Sequence, residues 1–184
     1  SLQKNGATRK SLMINLGGGM VTDLGGFAAS TFKRGMEYVN VPTTLLGAVD
    51  AAVGGKTGIN FGGLKNEIGV INSSKSVVIN ADFFRTLDAE NLRSGYAEMI
   101  KHGLISNTEI WKHILSFDLD NVDYNRLSEL LLESISVKEK VVEIDPTEKG
   151  LRKVLNFGHT VGHAFESYAM EIGKPVLHGY AVAW

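Results

Sequence analysis

The apolar positions of this chain change period partway along it. In the first half they fall in short runs broken by glycine clusters. Ser11–Leu16 (SLMINL), Tyr38–Val41 (YVNV) and Ser76–Asn80 (SVVIN) have the length and β-branched content of buried strands. Between the first two, Leu24–Phe32 is predicted to be a short helix, and Thr43–Ala52 another after Pro42. Strands alternating with helices predict a parallel α/β sheet. From Ala89 onward the period is helical. Leu127, Leu130, Leu131, Ser134, Ile135 and Lys138 recur at three- and four-residue spacing with no competing alternation. Asp145-Pro146 marks a turn, and Leu151–Met170 resumes the helical pattern. The predicted organisation is an α/β portion over residues 1–88 and an all-helical portion over 89–184, joined near 85–92.

Glycine usage marks the same division: 14 of the 21 glycines lie in residues 1–92 and 7 in 93–184. The chain of 184 residues is 43% hydrophobic and 21% charged, which excludes wholesale disorder. Nineteen Lys and Arg against twenty Asp and Glu leave a net charge of −1, arguing against a nucleic-acid binder that relies on bulk positive charge. With no cysteine, disulfides, thiol chemistry and Cys-ligated zinc are excluded. Any metal must sit on histidine and carboxylate. No apolar run approaches the ~18 residues of a membrane span, and the polar start SLQKNGATRK does not read as a signal peptide. The expected compartment is the cytoplasm. Three predicted strands are few against the ~5–6 of a usual sheet, and the chain finishes in the apolar run Gly179–Trp184. It is therefore expected to be a central piece of a longer enzyme that does not turn over by itself.

Four stretches carry candidate chemistry. Gly17-Gly18-Gly19-Met20-Val21-Thr22-Asp23 follows a strand and opens a helix, an arrangement suited to a phosphate or dinucleotide or simply to a tight turn. The strict G-x-G-x-x-G spacing fails at Thr22, and Asp23 is either an N-cap or an acceptor for a ribose hydroxyl. Gly54-Gly55-Lys56-Thr57 lacks the earlier glycine of a P-loop, since that position is Asp50. There, Asp50, Lys56, Lys65 and Asn66 spread over a Gly-rich segment, whose two lysines either hold an anionic substrate or, with the others, are solvated loop charges. Glu98 and Lys101 share a helix face, as a surface ion pair or, given apolar Tyr96, Ala97, Met99 and Ile100, as a buried one. Finally, His159 and His163 stand four apart in NFGHTVGH, the spacing of metal ligands, with His178 further on. Thr160 follows His159 where an H-E-x-x-H protease has Glu, so that reading fails.

Taken together, GGGMVTDLGGFAASTFKRG, VPTTLLGAVDAAVGGKTGIN, LKNEIG, SGYAEMIKHG and NFGHTVGH with the later LHG resemble the 3-dehydroquinate synthase family, in this order and from about Leu12 to His178. The resemblance implies part of a Rossmann-like NAD-binding parallel sheet followed by a helical metal-binding domain. It also implies conversion of 3-deoxy-D-arabino-heptulosonate 7-phosphate to 3-dehydroquinate and phosphate. The steps are transient oxidation by NAD, β-elimination of phosphate, re-reduction and aldol closure. Residue by residue, it implies Glu98, His159 and His178 as ligands of a divalent metal, zinc or else cobalt. Glu148 and His163, with Lys56 and Lys101, are implied in catalysis. Arg34, Asp50, Lys56, Asn66, Lys101, Lys138, Arg152 and Asn156 are implied in substrate binding, Arg34 across a homodimer interface. Gly18, Gly19, Met20, Asp23, Thr43, Thr44, Lys65, Thr86 and Ser94 are implied in binding NAD. Lys138 and Arg152 suit the substrate carboxylate. The rival readings are another sugar phosphate cyclase, a metal-dependent NAD polyol dehydrogenase, and a non-catalytic module of the same fold.

Overall fold

The computed structural model describes residues 2–62 and 64–184. Strand β1 (Leu12–Gly17) leads through Gly18 into helix α1 (Gly19–Thr31), and the chain returns as β2 (Glu37–Pro42). These strands pair in parallel from Leu12↔Glu37 to Gly17↔Pro42. Helix α1 starts five residues earlier than its apolar pattern suggests, because Gly18 already takes the N-cap position. Asp23 therefore lies inside the helix, and its N-cap reading is corrected.

After β2, the segment predicted as a helix over Thr43–Ala52 is helical from Leu45 to Ala51, but it widens into a π-type turn at Gly47–Ala51, closed by Ala52 N–H donating to Gly47 C=O at 2.8 Å. The wide turn presents Asp50 to the cleft described below; such turns recur at functional sites. The glycine-rich stretch that follows forms an antiparallel hairpin, β3 (Lys56–Phe61) and β4 (Leu64–Ile71). Glycine concealed these strands by diluting their side-chain alternation. Gly69 faces the β3 backbone so closely that a Cβ there would lie 2.2 Å from the Thr57 carbonyl oxygen. Gly63, part of the same glycine-rich stretch, lies outside the described residues.

The third parallel strand, β5 (Ser76–Val77), pairs with β2 and is shorter than its apolar run. Asn80 ends the run by accepting the Asp82 N–H and opening a 3-10 turn over Ala81–Thr86. The sheet order is β1-β2-β5. One face of β1 is covered by α1, whereas Leu12, Ile14 and Leu16 are exposed on the other.

The rest of the chain is helical: α2 (Ala89–Ile105), α3 (Thr108–Leu115), α4 (Tyr124–Ile144), α5 (His159–Glu171) and α6 (His178–Ala183). Side chains of Asp88, Asn107 and Asp123 cap α2, α3 and α4 by accepting first-turn N–H groups. The predicted α4 stripe is buried in full, from Leu127 to Lys138. Its apolar members meet Leu45, Val49, Phe84, Tyr96, Met99 and Ile114 in the main core, so the wide turn after β2 is anchored to the helical portion. Each such buried side chain contributes roughly 1.5–3 kcal/mol. The helix predicted across Leu151–Met170 is broken. A 3-10 turn over Leu151–Asn156 ends at Gly158, whose φ of 79° suits glycine and redirects the chain into α5. Among the described residues, no helix is long and apolar enough to cross a membrane.

Candidate metal and active site

Helix α2 buries Glu98 and Lys101 completely enough to settle their pairing: Glu98 is 0% and Lys101 4% exposed, and the Lys101 ammonium donates to Glu98 Oε2. The surface-pair alternative is thereby excluded. The other carboxylate oxygen, Glu98 Oε1, is buried without a hydrogen-bond partner. Two imidazoles face it, with His159 Nε2 at 3.7 Å and His178 Nε2 at 3.8 Å. Each ring is held at its far nitrogen. His159 Nδ1 donates to the Phe157 carbonyl at 3.1 Å, and His178 Nδ1 donates to Glu166 Oε2 at 3.1 Å. A neutral imidazole that donates at Nδ1 keeps its lone pair on Nε2. Both Nε2 atoms thus lie within 3.8 Å of the unpaired carboxylate oxygen, a donor set that a divalent cation accepts. His163 lies one turn along α5 from His159, and nitrogens of the three histidines fall within 4.8 Å of one another. His163 is half exposed, with Nε2 turned toward Glu166 Oε2 at 4.0 Å.

Electrostatics favour the neutral imidazole at His159 and His163 and the protonated one at His178. Burial holds His159 below the ordinary histidine value, Lys101 adding to the effect and Glu98 opposing it. Burial and then the neighbouring His159 and His178 lower His163. Burial works against the charged form of His178 too, but its hydrogen bond to Glu166 outweighs this and raises it. Burial would raise Glu166, yet the bonds from His178 and Lys65 pull it down to about 2.

Helix α6 is seated on α2 by backbone contact, and this places His178. Gly179 N–H donates to Ser94 Oγ at 2.9 Å, and a Cβ on Gly179 would fall 1.9 Å from the Ser94 carbonyl oxygen. Gly179→Ala is expected to lift α6 from α2, costing about 1–3 kcal/mol of stability and displacing His178. Thermal unfolding and zinc affinity measured together check this; a fall in Tm without loss of affinity would separate the helix from the ligand.

A cleft of about 690 Å³ opens beside the histidines. Gly19, Met20, Asp23 and Asp50 line one side, and Lys56, Lys65, Asn66, Lys138, Arg152 and Asn156 stand around it with the three histidines. The cations are not loose. Lys138 Nζ donates to both the carboxylate and the backbone carbonyl of Asp50, at 2.5 Å each. Arg152 donates to the carbonyls of Pro146 at 2.7 Å and Gly54 at 2.8 Å. Glu148, at a φ of 58°, accepts from the Lys56 ammonium and from Asn156 Nδ2. Of the residues offered as solvated loop charges, Asp50 is paired with buried Lys138, while Lys56 and Lys65 stay partly exposed but pair with Glu148 and Glu166.

Burial opposes the charge of Asp50, but Lys138 and Lys101 hold it well below the usual carboxylate range. Its neighbour Asp23 is pushed the other way, to about 7, by burial and by Asp50 itself. Folded protein then binds a proton at Asp23 that unfolded chain does not, over the interval from its ordinary 3.8 up to about 7. Stability falls as pH rises through that interval. Asp23→Asn is expected to raise Tm by several degrees at about pH 8 and to change it little at about pH 4. An equal shift at both pH values would contradict the raised carboxyl.

The remaining residues named from the sequence are spread more widely. Gly18 caps α1 and Thr43 donates its N–H to the Gly17 carbonyl, while Thr44 Oγ1 accepts from Gly47 at 3.0 Å. Thr86 is exposed at the end of its turn, and Ser94 is buried beneath α6. Arg34 sits exposed on the turn after α1 with a φ of 67°, away from the cleft lining. One residue in the site escaped the sequence reading. Glu166 lies seven positions after His159 and three after His163, on the same face of α5, and that helical spacing was the available signal.

Comparison with known proteins accounts for this architecture. Residues 1–94 match the family model described as 3-dehydroquinate synthase N-terminal, and residues 95–184 match 3-dehydroquinate synthase C-terminal. A 3-dehydroquinate synthase of Parabacteroides distasonis is 58% identical over 183 residues, covering 100% of this chain and 52% of that protein. Among solved structures, ValA, the 2-epi-5-epi-valiolone synthase of Streptomyces hygroscopicus subsp. jinggangensis 5008 with NAD+ and Zn2+ bound, is 31% identical with a TM-score of 0.86. That match covers 98% of this chain and 51% of ValA. A 2-deoxy-scyllo-inosose synthase complexed with carbaglucose-6-phosphate, NAD+ and Co2+ superimposes with a TM-score of 0.89 at 26% identity, over 98% of this chain and 50% of that one. The chain spans about half the length of the curated relatives it matches. With both family models matched end to end along it, the chain belongs to the 3-dehydroquinate synthase family.

Proposed function

We propose that this chain carries the metal ligands and most of the substrate-binding groups of a 3-dehydroquinate synthase. Such an enzyme converts 3-deoxy-D-arabino-heptulosonate 7-phosphate to 3-dehydroquinate and phosphate. The observation that carries the reading is the unpaired Glu98 Oε1 faced by Nε2 of His159 and His178 at the edge of a cationic cleft. One carboxylate and two imidazoles are a donor set that zinc accepts, cobalt as its substitute. Gly19, in the first turn of α1, lines the cleft where a dinucleotide phosphate would meet a helix N-terminus, and a Cβ on Gly18 would press on Thr44 at 3.1 Å. Held by Glu98, His159 and His178, a divalent metal would supply a Lewis acid for a secondary alcohol, and NAD would supply the hydride acceptor and donor.

The protein's own groups bind and orient. Lys101 holds Glu98 in place by pairing with Oε2, leaving Oε1 for the ligand set. Arg152, with three N–H groups beyond those spent on the Pro146 and Gly54 carbonyls, offers a fork to the substrate carboxylate. Lys138, Asn66 and Asn156 stand close enough in the cleft to hold hydroxyls and the same carboxylate. Glu148, positioned by Lys56 and Asn156, is the proton acceptor. His163, kept neutral by burial and its histidine neighbours, receives or returns a proton at the phosphate end. Asp23, Lys65, Met20, Thr43, Thr44, Thr86 and Ser94 are assigned to the cofactor side. Arg34, exposed on its turn, is assigned to the site of a second copy.

Phosphate release and dehydroquinate formation by the intact gene product, supplied with the heptulosonate phosphate, NAD and zinc, test the proposal. Release only from sugar phosphates lacking a carboxylate would make this another cyclase of the family. No release from any of them, with metal and NAD bound, would make it a binding module.

A further inference from the structure

We infer that Glu166 is a positioning residue for the metal site, fixing the His178 ring with Nε2 toward Glu98 and tying it to the β3–β4 hairpin through Lys65. The inference rests on the metal reading above and adds a residue to it. Glu166 is 3% exposed, a poor location for a carboxylate unless its charge is used. Both oxygens are engaged. Oε2 accepts from His178 Nδ1 at 3.1 Å, and Oε1 accepts from Lys65 Nζ at 2.5 Å, a lysine 101 positions earlier in the chain.

The two facing histidines differ in what restrains them. His159 lies on a helix of thirteen residues and is held by a backbone carbonyl that the chain places locally, two residues earlier. Each histidine is the first residue of a helix without a side-chain cap, but the helix of His178 is only six residues long. The His178 ring has no such local anchor. The carboxylate of Glu166, projecting from α5, is what selects the Nδ1–H tautomer and aims Nε2. A carboxylate also makes the imidazole a more electron-rich ligand than a carbonyl does. Lys65 neutralises the buried charge from the other side and thereby links the hairpin to the ligand set.

The test uses the full chain in three forms: unaltered, Glu166→Ala and Glu166→Gln. In metal-free protein at about pH 9, where histidine is neutral, long-range 1H–15N correlation reads the His178 ring directly. The unaltered protein is expected to hold a single Nδ1–H tautomer, and Glu166→Ala a mixture. Cobalt titration is expected to show about 10–100-fold weaker binding in Glu166→Ala with altered visible absorption bands. Glu166→Gln keeps an oxygen for Nδ1–H and loses the charge. It is expected to retain the tautomer while binding cobalt about 3–10-fold more weakly. A folded Glu166→Ala protein with the original tautomer and cobalt affinity would overturn the inference. If the alanine variant does not fold, Glu166→Gln decides: affinity and spectrum identical to the unaltered protein overturn it equally. Failure of the metal reading looks different, since cobalt would then bind the unaltered protein and His159→Ala alike while the tautomer measurement still reports on Glu166.

Discussion

Replacing His159 with alanine is expected to abolish stoichiometric zinc binding, lowering affinity by more than about 100-fold. Zinc sites in enzymes hold the ion with three protein ligands and leave the remaining position for water or substrate. Without His159, only Glu98 and His178 remain of the donor set, and loss of even an outer partner of a ligand costs about 10–100-fold. His159 is also anchored through Nδ1 to the Phe157 carbonyl at 3.1 Å. His163→Ala is the control. Its Nε2 is turned toward Glu166 and its ring is half exposed, so zinc content should persist while turnover falls. Zinc measured after gel filtration, with cobalt titration for affinity, checks both. Equal metal stoichiometry in His159→Ala and unaltered protein would reject the ligand assignment.

Arg152 is expected to give the second large effect. In the intact gene product, Arg152→Ala should weaken substrate binding and turnover by about 2–5 kcal/mol, the cost of removing one member of a buried charged pair. NAD affinity should change far less. The guanidinium also has structural work: it is buried and donates to the carbonyls of Pro146 and Gly54, while its backbone N–H donates to Asp145 at 3.0 Å. Losing both donations removes two hydrogen bonds from a charged group, up to about 1.5–3 kcal/mol each, so Tm should fall as well. Arg152→Lys separates the two roles. Lysine keeps the charge but cannot serve both carbonyls and fork a carboxylate. The expected result is a folded protein with normal NAD affinity and a kcat/KM still far below that of the unaltered enzyme. A change smaller than about twofold in kcat/KM, against the hundredfold scale of such losses, would remove Arg152 from the carboxylate site.

The elements that could be read from the chain are those whose signal is local. Strands β1 and β2 announce themselves as short, largely apolar runs, and α4 as a stripe from Leu127 to Lys138 that the core buries in full. The hairpin over residues 56–71 escaped because glycines at 58, 62 and 69 interrupt its alternation, although the turn and the close strand approach are what need them. The same blind spot shifted α1: Gly18 and Gly19 carry no apolar signal, yet the helix begins there and takes Asp23 inside. The helix expected after Pro42 is present from Leu45, and its widening at Gly47–Ala51 follows from packing against α1 and the core, which no local propensity encodes.

For the site, the amino-acid sequence by itself determined the chemistry available. The absence of cysteine confined any metal to histidine and carboxylate, and the i, i+4 histidines with the NFGHTVGH and GGKTGIN blocks pointed to the family. Tertiary structure alone decided how those groups are used. It showed that Glu98 is buried with one oxygen paired and one open, and which nitrogen of His159 and of His178 faces it. It also joined Lys138 to Asp50, Lys56 to Glu148 and Lys65 to Glu166, pairs separated by 88, 92 and 101 residues. The physical reason is that a side chain's residue type sets its charge and donor inventory, whereas its ionisation and direction depend on burial and on neighbours brought from elsewhere in the chain.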